Sequence, residues 1–282
     1  WDLEFTTSQN ESSLALSEAT IVAYNGVLQL LHEDDYAALK ALYQSTDGDN
    51  WENNEGWNEW DFSSSNPPDI SIIENWVGVY SQGNRIVSLY LNNNELTGEI
   101  PKELGNLSNL EQLYLHNNQL TGKIPKELSE LYYLEELHLY NNKLTGEIPQ
   151  ELDKLFNLGQ LYLDNNKLTG EIPQELGNLF RLSFLRLNDN KLTGEVPKQL
   201  GNLSSNLRDL IVNNNQLTGK IPEELGKLSD LWELRLDNNN LTGEIPEELG
   251  KLSELYVLHL NDNQLTGEIP QQLGNLSSCL LY

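Results

Sequence analysis

The chain has 282 residues, with 43 acidic and 17 basic side chains and a formal net charge of −26. That balance excludes a nucleic-acid binder, which needs a basic stripe to displace counterions from phosphates, and it excludes electrostatic docking on anionic membranes. One cysteine, Cys279, rules out an internal disulfide and a cysteine-rich zinc site. An apolar fraction of 38% is globular rather than disordered.

The chain starts at Trp1 and contains no methionine, so it is expected to be a processed product or an excised fragment. Within residues 1–32, Val22, Val27, Leu28, Leu30 and Leu31 predict either an extra helix packed on the adjoining cap or a leader segment. Residues 33–85 read as that cap. Asp34 and Asp35 can start a helix that places Tyr36, Leu39, Leu42 and Tyr43 on one face. A polar stretch then carries Trp51, Trp57 and Trp60, and Trp76-Val77-Gly78-Val79 closes the region. These tryptophans are expected to seal a core rather than to offer a carbohydrate platform.

Residues 86–282 repeat. Asn-x-Leu-Thr-Gly recurs at Asn94, Asn118, Asn142, Asn166, Asn190, Asn215, Asn239 and Asn263. The spacing is 24 residues throughout, except for 25 between Asn190 and Asn215, where a serine is inserted at Ser204-Ser205. Eight copies in register define a solenoid, whose units cannot bury their leucines singly and must stack. Leu113 and Leu115 alternate at period two, as a strand with one buried face requires. Asn118 can bond backbone groups where the chain turns, Gly122 permits the next turn, and Pro125 sets φ before a short helical segment. Leu128 and Leu131 then return to the core. Parallel strands at this spacing predict a concave sheet on the order of 40 Å long.

The unit L-x-x-L-x-L-x-x-N-x-L-T-G-x-[IV]-P resembles the plant-type leucine-rich repeat family, which includes receptor-kinase ectodomains and polygalacturonase-inhibiting proteins. The resemblance implies an α/β solenoid: a right-handed superhelix with a concave parallel β-sheet and short 3-10 or helical segments on the convex side. The helix leading into W…W-x-G-V resembles that family's N-terminal cap, although the cysteine pair usual in land-plant caps is missing. At the other end, Gly274–Leu280 parallels Gly201–Leu207, so Leu280 opens a ninth repeat and no C-terminal cap is seen. The parent protein is therefore expected to continue, and a membrane anchor beyond Tyr282 is one form that continuation can take.

Catalytic constellations are missing: there is no nucleophile elbow, no phosphate-binding glycine loop and no H-E-x-x-H helix. His116, His138 and Glu136 do not make a convincing metal set, and acid pairs such as Glu223-Glu224 read as solvated convex surface. The chain is expected to be no enzyme and to need no cofactor. Positions between the core leucines, which vary among repeats, project from the concave face. Tyr90, Tyr114, His138, Tyr140, Tyr162 and Phe184 form an aromatic band there, His116 lies in the neighbouring outward column, and Arg186, Arg208 and Arg235, among acids, can meet a ligand carboxylate. The same residues have a blander reading, in which aromatics suit half-buried strands and the charges pair with one another.

The leading expectation is a non-catalytic extracellular module, secreted or at the cell surface, that binds a peptide, protein or glycan on its concave face. N-x-[ST] sequences at Asn10, Asn106, Asn202, Asn240 and Asn275 are acceptors for glycosylation in such a setting. A structural or ice-binding repeat protein is the alternative, because Asn93, Asn117, Asn141, Asn165, Asp189, Asn214, Asn238 and Asp262 form a regular polar column. An intracellular interaction scaffold is a third reading, which the missing disulfides permit.

Overall fold

A computed structural model describes residues 22–23, 26–27, 29–276 and 279–281. Nine parallel strands form one sheet: Arg85–Tyr90, Gln112–Tyr114, Glu136–His138, Gln160–Tyr162, Phe184–Arg186, Asp209–Ile211, Glu233–Arg235, Val257–His259 and Leu280–Leu281. The cap strand Val79–Gln82 pairs antiparallel with Arg85–Tyr90 and covers that edge of the sheet. Register is constant, so Leu89, Leu113, Leu137, Leu161, Leu185, Leu210, Leu234 and Leu258 lie in one line. All eight are fully buried. Full burial of one leucine contributes roughly 1.5–3 kcal/mol, and here it is available only through the neighbouring repeats.

Behind each strand the chain turns and enters a five-residue 3-10 segment after a proline, such as Lys126–Glu130 after Pro125. That proline's φ of −64° is preset by its ring. Leu128 and Leu131 return from this segment to the core at 0% exposure. Between strand and 3-10 segment, the threonine of each Leu-Thr-Gly after the first bonds the glycine carbonyl of the preceding repeat, as in Thr145 N to Gly122 O at 2.7 Å, while Thr97 N bonds Thr46 O of the cap. This makes short parallel pairings on a second side of the solenoid.

Each repeat asparagine is a cross-link. Asn142 Nδ2 donates to Leu115 O (2.9 Å) in the previous repeat and to Leu139 O (3.1 Å) in its own, while its Oδ1 accepts from Leu120 N (3.0 Å). The pattern recurs from Asn118 to Asn263. At the first repeat the cap takes over: Asn53 N donates to Asn94 Oδ1 (2.6 Å), and Asn94 Nδ2 donates to Asn53 O (2.9 Å).

The cap is sealed from within. The helix Glu33–Ser45 buries Tyr36, Leu39, Leu42 and Tyr43, the face expected from spacing. Trp51, Trp57 and Trp76 are buried, with ring centroids 5.0 Å apart for the first pair and 4.8 Å for the second. The indoles of Trp51 and Trp57 donate to Thr46 O and Val77 O, each at 2.9 Å, so these rings are structural. No disulfide joins cap to repeats; an ion pair does. Asp35, fully buried, pairs with Arg85 Nη2 at 2.8 Å and accepts from Arg85 Nε at 3.2 Å and from Ile86 N at 2.7 Å. The extra helix expected before the cap is not found in the residues described: Val22–Ala23 pairs antiparallel with Gly26–Val27, and Leu30 bridges Asp69. The remainder of that expectation lies outside the described residues.

The column at Asn93, Asn117, Asn141, Asn165, Asp189, Asn214, Asn238 and Asp262 has a backbone cause. All eight residues have φ between 51° and 55°, the left-handed region that asparagine and aspartate tolerate better than other side chains. Two adjacent asparagines therefore differ in role. Asn142→Gly should lower unfolding free energy by about 3 kcal/mol, because it leaves buried backbone groups unpaired. Asn141→Gly should be nearly neutral, since glycine accepts the conformation. Denaturant unfolding of the whole chain separates the two, and equal losses would refute this division of labour. Asp35→Ala, which strands Arg85, should cost about 3–5 kcal/mol in the same measurement.

Candidate ligand-binding face

Because the sheet is parallel and in register, residues 24 apart in sequence stand side by side at strand spacing. Tyr90, Tyr114, His138 and Tyr162 become one stacked column, with successive ring centroids 4.7, 4.4 and 4.4 Å apart and interplanar angles of 21°, 5° and 9°. Tyr80 from the cap strand extends it at 5.0 Å, and Arg186 closes it with Cζ 4.9 Å over the Tyr162 ring. Beside it runs a second, shorter stack, His116 on Tyr140 at 4.3 Å and 12°. His116 and His138 lie 5.9 Å apart between centroids, which ties the two columns together.

Polar tips of the first column are held by the strand next along. Tyr90 Oη donates to Gln112, Tyr114 Oη donates to Glu136, and His138 Nε2 lies 3.1 Å from Gln160 Oε1. The rings are fixed before any ligand arrives, which lowers the ordering cost of binding. Burial removes the histidines from ordinary titration. His116 is pushed down to about 4, first by burial and then by the nearby His138. His138 is lowered by the same burial, opposed by Gln160 and Glu136. Burial also raises the Asp164 carboxyl.

The sequence-derived residues divide into three groups. Tyr90, Tyr114, His138, Tyr162 and Arg186 form the main column, and His116 and Tyr140 the second. Phe184 stands in register with Gln160 and Asp209, at the flank side of the sheet. Arg235 is separated from Arg186 by Ile211 and does not join the band. Neither arginine is an open clamp: Arg186 Nη2 pairs with Asp209 at 2.7 Å, and Arg235 pairs with Glu233. The blander reading of the charges therefore holds for these two pairs. Asn106, Asn202, Asn240 and Asn275 are all exposed, and Asn10 lies outside the described residues. Among the described residues no group of three or more His, Cys, Asp or Glu side chains is placed to hold a metal ion.

A second aromatic feature, which strand alternation does not reveal, lies on the flank where the chain enters each strand. Tyr132, Phe156 and Phe180 recur at 24-residue spacing and are 50%, 63% and 61% exposed. Further along the same flank, Trp232 stacks on Tyr256 at 5.3 Å and 7°. Aligning the repeats at positions outside the strand brings out both sets.

A solenoid with an inward asparagine ladder and a concave parallel sheet is a leucine-rich repeat protein. Sequence comparison agrees: the family signatures described as "Leucine Rich repeats (2 copies)" and "Leucine Rich Repeat" match residues 85–131 and six successive segments from 133–155 to 254–276. The chain belongs to the leucine-rich repeat family. No curated protein sequence matches it significantly. Among solved structures it is similar to the ectodomain of the Arabidopsis thaliana receptor kinase GASSHO1/SCHENGEN3, crystallised with Casparian strip integrity factor 2. Identity there is 39% and the TM-score 0.78, over 89% of this chain and 29% of that one. The Arabidopsis receptor kinase HAESA, in complex with a peptide hormone and a co-receptor, gives 31% identity and a TM-score of 0.74, over 88% and 41%. A plant ice-binding protein gives 28% and 0.62, over 86% and 90%. The chain spans less than half the length of either receptor chain.

The depressed histidine is directly testable. His116 should stay neutral down to about pH 4 by NMR, whereas an unfolded histidine protonates near pH 6.5. The unfolded chain then binds the extra proton over that interval, so stability should fall as pH drops from about 6.5 towards 4. His116→Gln should remove part of that slope. A His116 midpoint near 6.5 would contradict the burial argument.

Proposed function

We propose that the chain is a non-catalytic recognition module that binds a peptide or protein segment along its concave aromatic columns. The observation that carries this reading is the pre-stacked series from Tyr90 to Arg186. It is a long, rigid surface of half-buried rings with polar tips, which no requirement of the core explains. Core leucines are nearly invariant between repeats, while these surface positions differ from one repeat to the next. Aromatic groups held in advance give large contact area at little entropic cost. HAESA, to which the chain is similar, was solved with a peptide hormone, which supports a peptide over a small molecule. An extracellular setting, as for those ectodomains, belongs to the same proposal, as does membrane anchoring of a longer parent.

The module binds through side chains. Strand N–H and C=O groups are consumed by the ladder between repeats, so an extended ligand finds no free sheet edge on this face. Tyr140 and Tyr162 provide contact area, Arg186 and its Asp209 partner supply polarity, and neutral His116 and His138 offer hydrogen bonding without charge.

A second reading, an ice-binding repeat protein, is favoured by the similarity to a plant ice-binding protein over nearly its whole length. The polar column does not supply the flat, uniform ladder this needs. Asn117 donates back to Asn93 at 2.9 Å and Asn141 back to Asn117 at 2.6 Å, but Asn165 turns aside to Asp164. Thermal hysteresis at high protein concentration would establish this reading in place of the first.

Peptides selected on the intact protein from a random display library provide the main test. Tyr114→Ala combined with Tyr162→Ala should weaken their binding about tenfold or more, the scale of a hot-spot loss. Lys198→Ala, on the convex side, should leave it unchanged. Equal binding by all three proteins would refute the concave site.

A further inference from the structure

Phe184, Arg208 and Trp232 border a hollow of about 790 Å³ on the flank, where the chain enters the strands. Ser229, Asp230 and Glu254 complete the part that matters here. It adjoins the end of the main column, where Arg186 forms its inner wall, and the serine insertion at Ser204-Ser205 falls beside it: Ser229 N donates to Ser204 O at 3.0 Å.

The central element is the Trp232 indole. It is 48% exposed in a chain whose other described tryptophans are buried or half-buried. Backbone bonds order its surroundings, since Trp232 N donates to Arg208 O and Tyr256 N donates to Trp232 O, both at 2.8 Å. Arg208 and Tyr256 therefore flank it on successive repeats. Tyr256 stacks against one face of the indole, in near-parallel contact, and is not part of the hollow's lining. The opposite face, on the Arg208 side, has no ring or guanidinium of the described residues stacked on it. Tyr256 thus backs the indole and presents its free face.

Around this platform stand hydrogen-bonding groups of both kinds. Arg208 is an exposed donor with no ion-pair partner among the described residues. Asp230 and Glu254 are exposed carboxylates, likewise without ion pairs, and Ser229 Oγ lies 2.9 Å from both Asp230 Oδ1 and Ser204 O, which share its one proton. Arg186 and Asp209, at the inner wall, neutralise each other. A free aromatic face, one guanidinium and two carboxylates within one shallow hollow match a neutral polyhydroxylated ring. Its C–H face lies on the indole, its vicinal hydroxyls donate to carboxylates, and its oxygens accept from arginine.

An extended peptide fits less well. The N–H groups of Arg208, Trp232, Tyr256 and Leu280 are all used within the solenoid, bonding Ser183 O, Arg208 O, Trp232 O and Tyr256 O. Main-chain pairing has nothing to engage here, as on the concave face, and this hollow has one free ring where that face has a column of them. A strongly acidic polymer meets two unpaired carboxylates.

We propose that this hollow is a second binding site, for a neutral oligosaccharide, centred on Trp232 with Arg208, Asp230 and Glu254 as its polar contacts. It shares only the Arg186–Asp209 pair with the concave face, and neither Trp232 nor Asp230 belongs to the peptide reading, so either can fail without the other.

The test titrates the intact protein with cellohexaose, laminarihexaose, xylohexaose and chitohexaose, with hexagalacturonate and a library-selected peptide as comparators. Tryptophan emission and saturation-transfer NMR report binding. At least one neutral hexasaccharide should bind, and Trp232→Ala and Asp230→Asn should each weaken it about tenfold, the loss expected from a central contact. Tyr114→Ala should leave it unchanged. Circular dichroism checks folding, and if Trp232→Ala is perturbed, the exposed Asp230→Asn substitution decides alone. The proposal is overturned if no neutral hexasaccharide binds, if the flank variants bind like the parent, or if only the peptide or the acidic comparator engages Trp232.

Discussion

Everything in this molecule hangs on the contact between one repeat asparagine and the backbone of the next repeat. A solenoid turns its chain about once per 24 residues, and each turn leaves peptide groups pointing inward where water cannot reach. An unpaired buried peptide group costs about 1–3 kcal/mol, so a stack of such turns could not persist without a device that satisfies them. Asn142 does this for Leu115, Leu139 and Leu120 together. Its amide is short enough to fit inside the turn and carries both donors and acceptor. The leucines supply the driving force for stacking, but they are interchangeable in register. The asparagine ladder fixes which atom meets which, and so fixes the pitch.

Constant pitch has consequences on the surface. Any side chain placed at a given strand position is brought beside its counterpart 24 residues away, and planar side chains then stack without further design. The centroid spacings of 4.4, 4.4 and 4.7 Å in the Tyr90 to Tyr162 column are those of the strands themselves. The same geometry that builds the core thus builds a rigid concave surface, and burial within it keeps His116 and His138 uncharged. The net charge of −26 is carried elsewhere. Half of it lies in residues 1–85, and in the repeats the acids mostly come after the Thr-Gly turn or sit in the 3-10 segments, as Glu99 and Glu103 do.

Much of this was legible in the sequence because the repeat writes each structural position eight times. The strand leucines, the asparagine, the proline-led 3-10 segment and the tryptophan-sealed cap emerge from periodicity and residue chemistry. Other features did not. The Asn93 to Asp262 column looked like a polar surface ladder, whereas its cause is a left-handed φ that a one-letter pattern does not display. For Arg186 and Arg235 the sequence left open a ligand clamp or pairing with neighbouring acids, and strand register brings Asp209 and Glu233 onto them. The flank aromatics from Tyr132 to Tyr256 lie between core leucines and strand, where alternation gives no prompt to look. The residues before the cap left an extra helix or a leader open from their apolar content, whereas Val22–Ala23 pairs antiparallel with Gly26–Val27.

The single inserted serine shows which parts of the repeat are free to change. The extra residue enters between Leu203 and Leu207, and the turn absorbs it: both Asn206 N and Leu207 N donate to Leu203 O at 3.2 Å. On either side nothing shifts. Phe184 still pairs with Asp209, and Leu192 N still donates to Asn215 Oδ1 at 2.9 Å, as its counterparts do in other repeats. A residue added inside the ladder would move every later asparagine out of reach of its carbonyls, whereas one added at the flank moves only solvent-facing atoms. Length and sequence can therefore vary at the entry to the strands at little cost to the stack. Chemical diversity in such a protein belongs on the concave columns and this flank, the two surfaces where side chains escape the repeat without breaking it.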